Sequence, residues 1–429
     1  MNSNKSHGFR NFVLILKEYY KIVTSILFRF LVFIHRKGQK KSKENIIIGF
    51  SSAWFGGNVK GLIDELSNNK KLIIDKKIKI YFTSPNKEQI QTAKKAGLDS
   101  YYWHDFKAID IFSKTDIFVT SHGESYLPVT RRGKISDFIS DVFGEFALKF
   151  NSIKKSYIDG NFKIKRLELW HGIPFKDVYI DKIPIPPDVF CVTSDFVKKS
   201  YSRKGYNPNI FKITGYPRND ILFKKINRSN ILTELNIPII KKIILYAPTW
   251  GHYTGMELFP WDNFKKSILE LDKFAQEKQD IHFIIRTHKY WEGSEESNID
   301  DLLGKCKNIS WVSMSIYPDT YSLLSVTEVL ITDWSSIAFD FMLKKKPIIF
   351  IDRPNPYGKF CFTPDERAGA IVKNQKELIN ALNDSVKNPN NFIKKYATNF
   401  DKVLDKAFYY KDGKAAKRCI KELVKLIEN

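Results

Sequence analysis

The pattern of apolar and polar positions changes character near residue 45. Before that point, residues 12–34 read FVLILKEYYKIVTSILFRFLVFI, an apolar stretch broken by Lys17, Glu18, Lys21 and Arg29. Lys17, Lys21, Ser25 and Arg29 recur every four residues and share one helix face, leaving Leu, Ile, Val and Phe to the others. A cation at the centre of a spanning helix costs about 3 kcal/mol, which disfavours a true membrane span. A basic cluster follows at Arg36, Lys37, Lys40, Lys41 and Lys43. The spacing predicts an amphipathic helix lying in the bilayer interface, with the cluster over anionic head groups. A helix packed on the protein itself or on a second subunit is the competing reading. No small-residue cleavage site follows the apolar run, so a secretory signal is disfavoured.

From Asn45 onward, short β-branched runs alternate with amphipathic stretches. IIIGF at 46–50, IKIYFTS at 78–84 and DIFVTSHGE at 116–124 read as buried strands of a parallel sheet with their following loops. Between them, GGNVKGLIDEL reads as a Gly-rich turn opening a helix, and KEQIQTAKKAG as a helix ended by Gly97. The alternation restarts with KKIILYAPTW (241–250), IHFIIRTH (281–288), ISWVS (309–313), VLITDWSS (329–336) and KPIIFID (346–352). FKKSILELDKFAQEK lies between strands as a helix, and the chain from about Asn374 to KAAKRCIKELVKLIE reads as helical. No internal repeat is visible in the residues. The expectation is an α/β protein with two Rossmann-like domains facing a cleft: 1–44 an amphipathic membrane-associating helix and basic linker, 45–214 a front domain, and 215–429 a rear domain with C-terminal helices.

Composition narrows the picture. The 429 residues are 43% hydrophobic, with 33 Phe and 20 Tyr, enough for real cores and against disorder. Lys and Arg outnumber Asp and Glu by 70 to 47, a formal charge of +23. That excess is either a solvated basic surface or a preference for anionic partners such as phosphates or acidic lipid. A nucleic-acid role is not expected, because the lysines are dispersed and no RNP-like or zinc-finger pattern occurs. The four cysteines are widely spaced with no CxxC pair, which argues against a zinc site or disulfide framework and fits a reducing compartment.

Several segments carry chemistry. In VLITDWSSIAFDF, Asp333, Ser335 and Ser336 follow a strand and precede an apolar helical pattern. Backbone N–H groups there favour an anion, while the competing reading is an ordinary helix cap. Asp340, four residues after Ser336, shares its helix face and either orients Ser336 or bonds to its neighbours. Arg286 and His288 alternate about Thr287 at a strand end, so both face one side, suited to a diphosphate or to a structural role. His171, in LWHGIP, sits at a strand-to-loop junction with Gly172 and a proline forcing a break. It is either a general base or a turn-stabilising histidine. GYPRND at 215–220 is a turn in which Arg218 clamps a phosphate or pairs with Asp220. Thr249 and Trp250 end the first strand of the second unit, where Rossmann domains meet ligands. GGN at 56–58 is too short for a dinucleotide fingerprint, and no GxxxxGK[ST], HExxH or GxSxG occurs. No acidic pair sits at an obvious strand end, so no metal is expected.

Taken in order, these segments resemble the CDP-glycerol:poly(glycerophosphate) glycerophosphotransferase family over about residues 45–420. WHGIP with Lys176 is similar to WHGTPLK, GYPRND matches directly, and YAPTW and RTH match short motifs. TDWSSIAFDF is similar to TDYSSVMFDF, and DGKAAKR at 412–418 to the family's ending. The resemblance implies a GT-B fold with the nucleotide held mainly by the rear domain, no cofactor and no metal. It implies His171 as general base for an acceptor hydroxyl attacking the β-phosphorus of a CDP-polyol. His288, Ser335 and Ser336 would bind the diphosphate, with Arg218 and Asn219 as supporting groups near the cleft. Implied partners are the CDP-polyol donor, a lipid-linked or polysaccharide acceptor and an anionic membrane surface at the cytoplasmic face of the cell membrane. A homo-oligomer is compatible. Ile173 and Trp334 depart from the usual Thr and Tyr, which touches donor or acceptor choice more than reaction class. A CDP-ribitol donor, a nucleotide-sugar glycosyltransferase and a non-enzymic membrane scaffold are the alternatives.

Overall fold

A computed structural model of the chain describes residues 31–32, 34–36, 44–103, 105–121, 164–173, 175, 186–202, 207–249, 259–261, 264–287, 301–314, 316–354 and 361–428. Two parallel sheets organise them. The first holds β1 (Ile46–Ser51), β2 (Ile78–Ser84), β3 (Ser100–Tyr102), β4 (Ile117–Thr120), β5 (Lys165–Glu168), β6 (Val189–Val192) and β7 (Phe211–Ile213), in the order β3-β2-β1-β4-β5-β6-β7. The second holds β8 (Lys242–Tyr246), β9 (Ile281–Ile285), β10 (Ile309–Trp311), β11 (Thr327–Thr332), β12 (Ile348–Ile351) and β13 (Ala370–Val372), in the order β10-β9-β8-β11-β12-β13. Counted within its own sheet, each begins with the Rossmann order 3-2-1-4-5-6, so each has a switch point where its first and fourth strands lie side by side. β1 lies beside β4, and β8 beside β11.

The strands form where the sequence is β-branched and apolar, because parallel strands covered on both faces bury every side chain. β4, β6, β9 and β12 are buried at every position. β1 tolerates Gly49 because the Tyr81 ring fills the place a Cβ would take, with its hydroxyl 2.5 Å from that position. Helices cover the sheets where apolar spacing predicts them. Gly57–Asn68 buries Val59, Leu62, Ile63 and Leu66, and Phe264–Lys278 buries Ile268, Leu271, Phe274 and Ala275.

One segment falls elsewhere than the sequence suggests. The closing helix Ala415–Glu428 belongs by sequence to the rear domain. It packs instead on the front one, where Ala416, Cys419, Ile420, Leu423 and Leu426 join the core around Ile48, Val59 and Leu62. Lys76 pairs with Glu428 at 2.7 Å and Lys165 Nζ donates to the carbonyl of Leu426. The N-terminal amphipathic stretch lies mostly outside the described residues. Its last turn packs on the front domain: Val32 is buried with Tyr81, Phe112 and Phe118, and Arg36 donates to the carbonyls of Ser113 and Thr115. Among the described residues, no helix is long and apolar enough to cross a membrane.

Candidate active site

The front wall of the site is the loop that leaves β5. Glu168, at the strand's end, is buried, accepts from the Thr120 hydroxyl and accepts from the Trp170 N–H at 2.8 Å. Trp170 adopts φ +56°, a left-handed conformation that costs a non-glycine residue energy and persists only where surroundings impose it. They do so here. Asn58, from the Gly-rich turn, donates to the carbonyls of Leu169 and Trp170. The hydroxyls of Tyr201 and Tyr216 both donate to the carbonyl of Gly172, at 3.2 and 3.3 Å. The Trp170 ring is buried against Phe190 and Tyr201, while the His171 ring lies over it at 4.5 Å on the exposed side. Backbone strain and anchoring together present the imidazole to solvent on a loop with little freedom.

The rear wall is the loop leaving β11 at the switch point of the second sheet. Buried Asp333 accepts from the Thr249 N–H at 2.7 Å and from its hydroxyl, tying this loop to the one that leaves β8. Arg353 Nε lies 3.5 Å from the other Asp333 oxygen. Trp334 turns inward, donates from Nε1 to the Arg353 carbonyl and packs between Phe175 and the Arg367 guanidinium. Ser335 and Ser336 follow, half-buried, at the start of the short helix Ile337–Met342. Ser336 occupies the cap position, yet its side chain makes no cap hydrogen bond. The two walls touch: a Cβ built on Gly172 would lie 2.9 Å from Ser336 Oγ and 3.8 Å from Arg218 Nη2.

Arg218 joins these parts. It lies on the 3-10 segment Pro217–Phe223 between the two sheets and is only 8% exposed. Nη1 donates to the His171 carbonyl and Nη2 to Asp340 Oδ2 at 2.7 Å. The rings of Tyr216 and Tyr321 each lie 5.1 Å from the guanidinium carbon. Tyr321 also donates to Asp340 Oδ2 at 2.9 Å. Burial pushes the Asp340 carboxyl upward, while Arg218, Tyr321 and Asn219 pull it back toward the charged form. Burial likewise pushes the phenols of Tyr216 and Tyr321 upward, so both remain donors at neutral pH. The neighbouring Asp220 turns the other way and accepts from the N–H groups of Ala415 and Ala416, capping the closing helix.

The structure therefore gathers His171, Gly172, Arg218, Asn219, Asp333, Ser335, Ser336 and, through Asp333, Thr249. Arg286 points inward: its guanidinium donates to the Tyr317 carbonyl and the Thr320 hydroxyl, each at 2.8 Å, and fixes the loop after β10. His288 and Trp250 lie outside the described residues, as do Pro174 and Lys176. Sequence reading missed Glu168, Asn58, Tyr201, Tyr216, Tyr321 and Arg353. Their roles depend on partners far along the chain, and no local spacing signals them.

A family model described as CDP-Glycerol:Poly(glycerophosphate) glycerophosphotransferase matches residues 30–425. The chain is 29% identical over 291 residues to the teichoic acid poly(glycerol phosphate) polymerase of Bacillus subtilis, a match covering 60% of this chain and 37% of that protein. It is 29% identical over 290 residues to the teichoic acid glycerol-phosphate transferase of Staphylococcus aureus, covering 60% and 71%. Staphylococcus aureus proteins named as ribitol-phosphate polymerases match as well. In fold, the chain is similar to a solved structure of the wall teichoic acid polymerase TagF, with TM-score 0.65, 17% identity and coverage of 100% and 99%. The chain thus aligns with little more than a third of the Bacillus subtilis relative.

Proposed function

As a member of the CDP-glycerol:poly(glycerophosphate) glycerophosphotransferase family, the chain is one for which we propose transfer of a polyol phosphate from a CDP-activated donor to an acceptor hydroxyl, releasing CMP. Glycerol phosphate is the favoured unit, because the relatives matched at 29% identity over 291 and 290 residues carry that name, whereas the ribitol-phosphate polymerase of Bacillus spizizenii matches over 291 residues at 26%. The acceptor is a lipid-linked or polysaccharide chain, and the product a teichoic-acid-like or capsular polymer. His171 accepts the proton of the acceptor hydroxyl. The oxygen attacks the β-phosphorus in line, the bond to the bridging oxygen breaks, and CMP leaves with that electron pair. Ser335, Ser336 and His288 hold the diphosphate. Asn219 is a supporting group near the cleft, while Asp333 with Thr249 shapes the rear wall. Such chemistry depends mainly on positioning and charge neutralisation.

One observation carries this reading: the loop bearing His171 abuts the serine turn so closely that a Cβ built on Gly172 would lie 2.9 Å from Ser336 Oγ. On this reading the base and the anion cradle sit on adjoining loops. The test is His171→Ala, with CMP release followed by chromatography and CDP affinity by calorimetry. Loss of transfer with CDP binding retained is expected, whereas retained turnover removes His171 from the mechanism. Offering CDP-glycerol, CDP-ribitol and UDP-sugars in parallel, with mass detection of product, identifies the donor. Peripheral association with the cytoplasmic membrane face belongs to the same proposal. Removing residues 1–30 should weaken sedimentation with anionic liposomes, and unchanged sedimentation would count against it.

A further inference from the structure

We infer that Arg218 is a positioning residue for His171 and not a ligand of the donor phosphates, with Asp340 acting through it. The inference rests on the assignment of His171 as base. Arg218 is a natural suspect for phosphate binding, since a guanidinium in a cleft suits a diphosphate. Its surroundings say otherwise. One arm is engaged by the His171 carbonyl, the other by Asp340, and the rings of Tyr216 and Tyr321 each lie 5.1 Å from its central carbon. The group is buried and its charge is matched by the carboxylate against it.

What Arg218 touches matters for the chemistry. The carbonyl it holds belongs to the residue carrying the imidazole, directly after the strained Trp170. A peptide plane fixed at that point sets the direction in which the His171 side chain leaves the backbone. Glu168 and Asn58 hold the preceding residues from the front domain, and Tyr201 and Tyr216 hold the following carbonyl. Arg218 adds a different link. Through Asp340, on the helix that begins at Ser336, it ties the imidazole-bearing loop to the element carrying the serine turn. The 3-10 segment that bears Arg218 also lies at the join of the two sheets, where Arg218 N donates to Asn58 Oδ1. One guanidinium therefore registers base and cradle against each other across the domain boundary.

The test separates a positioning role from a binding one. Arg218→Lys keeps the cation but cannot span both acceptors. Asp340→Asn keeps the shape of the carboxylate and loses its charge. Each variant is assayed for turnover at saturating CDP-glycerol, for CDP affinity by calorimetry and for thermal midpoint. A misplacement of about 1 Å costs on the order of 10²-fold, so turnover should fall by about that factor in both. CDP affinity should stay within about threefold of the parent, as expected for a group that does not touch the donor. The double variant should be little worse than either single one, because the two side chains act as one unit. Guanidinium ion at millimolar concentration should restore part of the turnover of Arg218→Ala, a rescue that a purely structural role would not give. If Arg218→Lys fails to fold, the same split in Asp340→Asn decides. A drop of about tenfold or more in CDP affinity with saturated turnover unchanged would make Arg218 a phosphate ligand and overturn the inference. So would turnover loss that merely follows thermal instability, without rescue. Activity in His171→Ala would instead sink the base assignment itself, and that outcome is read separately.

Discussion

Gly172→Ala puts the central geometry to a quantitative test. The added methyl would lie 2.9 Å from Ser336 Oγ and 3.4 Å from Ser336 Cβ. The first distance is about 0.5 Å inside ordinary contact, so something must move. The obstacle is a short side chain and not backbone, and rotating Ser336 off its position costs about 0.5–1.5 kcal/mol. Gly172 is not among the positive-φ glycines, so alanine suits its backbone. Removing glycine also restricts the unfolded chain, returning about 0.4–1 kcal/mol. The net stability change is therefore close to zero, and at most about 1 kcal/mol, or a few degrees in thermal midpoint. Catalysis has no such compensation. A displaced Ser336 hydroxyl or a loop pushed back by a few tenths of an ångström should lower turnover about 10- to 100-fold. CMP release at saturating CDP-glycerol and a circular-dichroism melt measure the two effects on one sample. Gly172→Ala with Ser336→Gly supplies the control: it relieves the clash but removes the hydroxyl, so activity should not return. Turnover within about twofold of the parent in Gly172→Ala would refute the claim that loop and serine turn work as one site. Recovered activity in the double variant would show that the Ser336 hydroxyl is dispensable.

Two further predictions concern the frame around the site. Asp220→Ala leaves the N–H groups of Ala415 and Ala416 without their acceptor. Loss of a cap of this kind costs about 1–2 kcal/mol, seen as a lower urea midpoint, with Asp220→Asn retaining part of it; an unchanged midpoint would refute the capping role. His282 is held below its ordinary 6.5, at about 4, by burial first and by Lys241 second. The folded state therefore prefers the neutral ring, while the unfolded chain takes up a proton as pH falls below 6.5. Its stabilising contribution is complete above that value and is lost as pH falls from 6.5 toward 4. The gap between the two values corresponds to about 3 kcal/mol. His282→Gln, which can still reach the Ser310 hydroxyl, should flatten the pH dependence of the urea midpoint across that interval; an identical slope would refute it.

How much of this was legible in the chain depends on the range of each interaction. Runs such as IIIGF, IKIYFTS, KKIILY and VLIT announce buried parallel strands because burial on both faces demands β-branched residues in succession. The motif loops announce themselves too, since glycine and proline breaks after such runs mark the ligand edge of the sheet. Strands β3, β6, β7 and β13 do not stand out in the sequence, SYY of β3 being as short as the rest, and β5 is implied only by the strand-to-loop junction at His171. KRLE is too polar, and VFCV, FKI and AIV are too short to stand out, until neighbours pair with them. The closing helix shows its amphipathic spacing plainly, but nothing in that spacing says which domain will bury its apolar face.

The sequence by itself determined the strand-helix alternation, the ligand edges and the identity of the residues placed there, because these follow from local periodicity and side-chain chemistry. The tertiary structure alone decided their partners. It gave Arg218 to Asp340 and the His171 carbonyl, turned Arg286 and Trp334 inward, and left Ser336 uncapped against Gly172. Those choices join residues far apart in the chain: Arg218 and Asp340, for example, are 122 positions apart. Only the tertiary packing of loops and helices between the two sheets brings such groups within hydrogen-bonding distance.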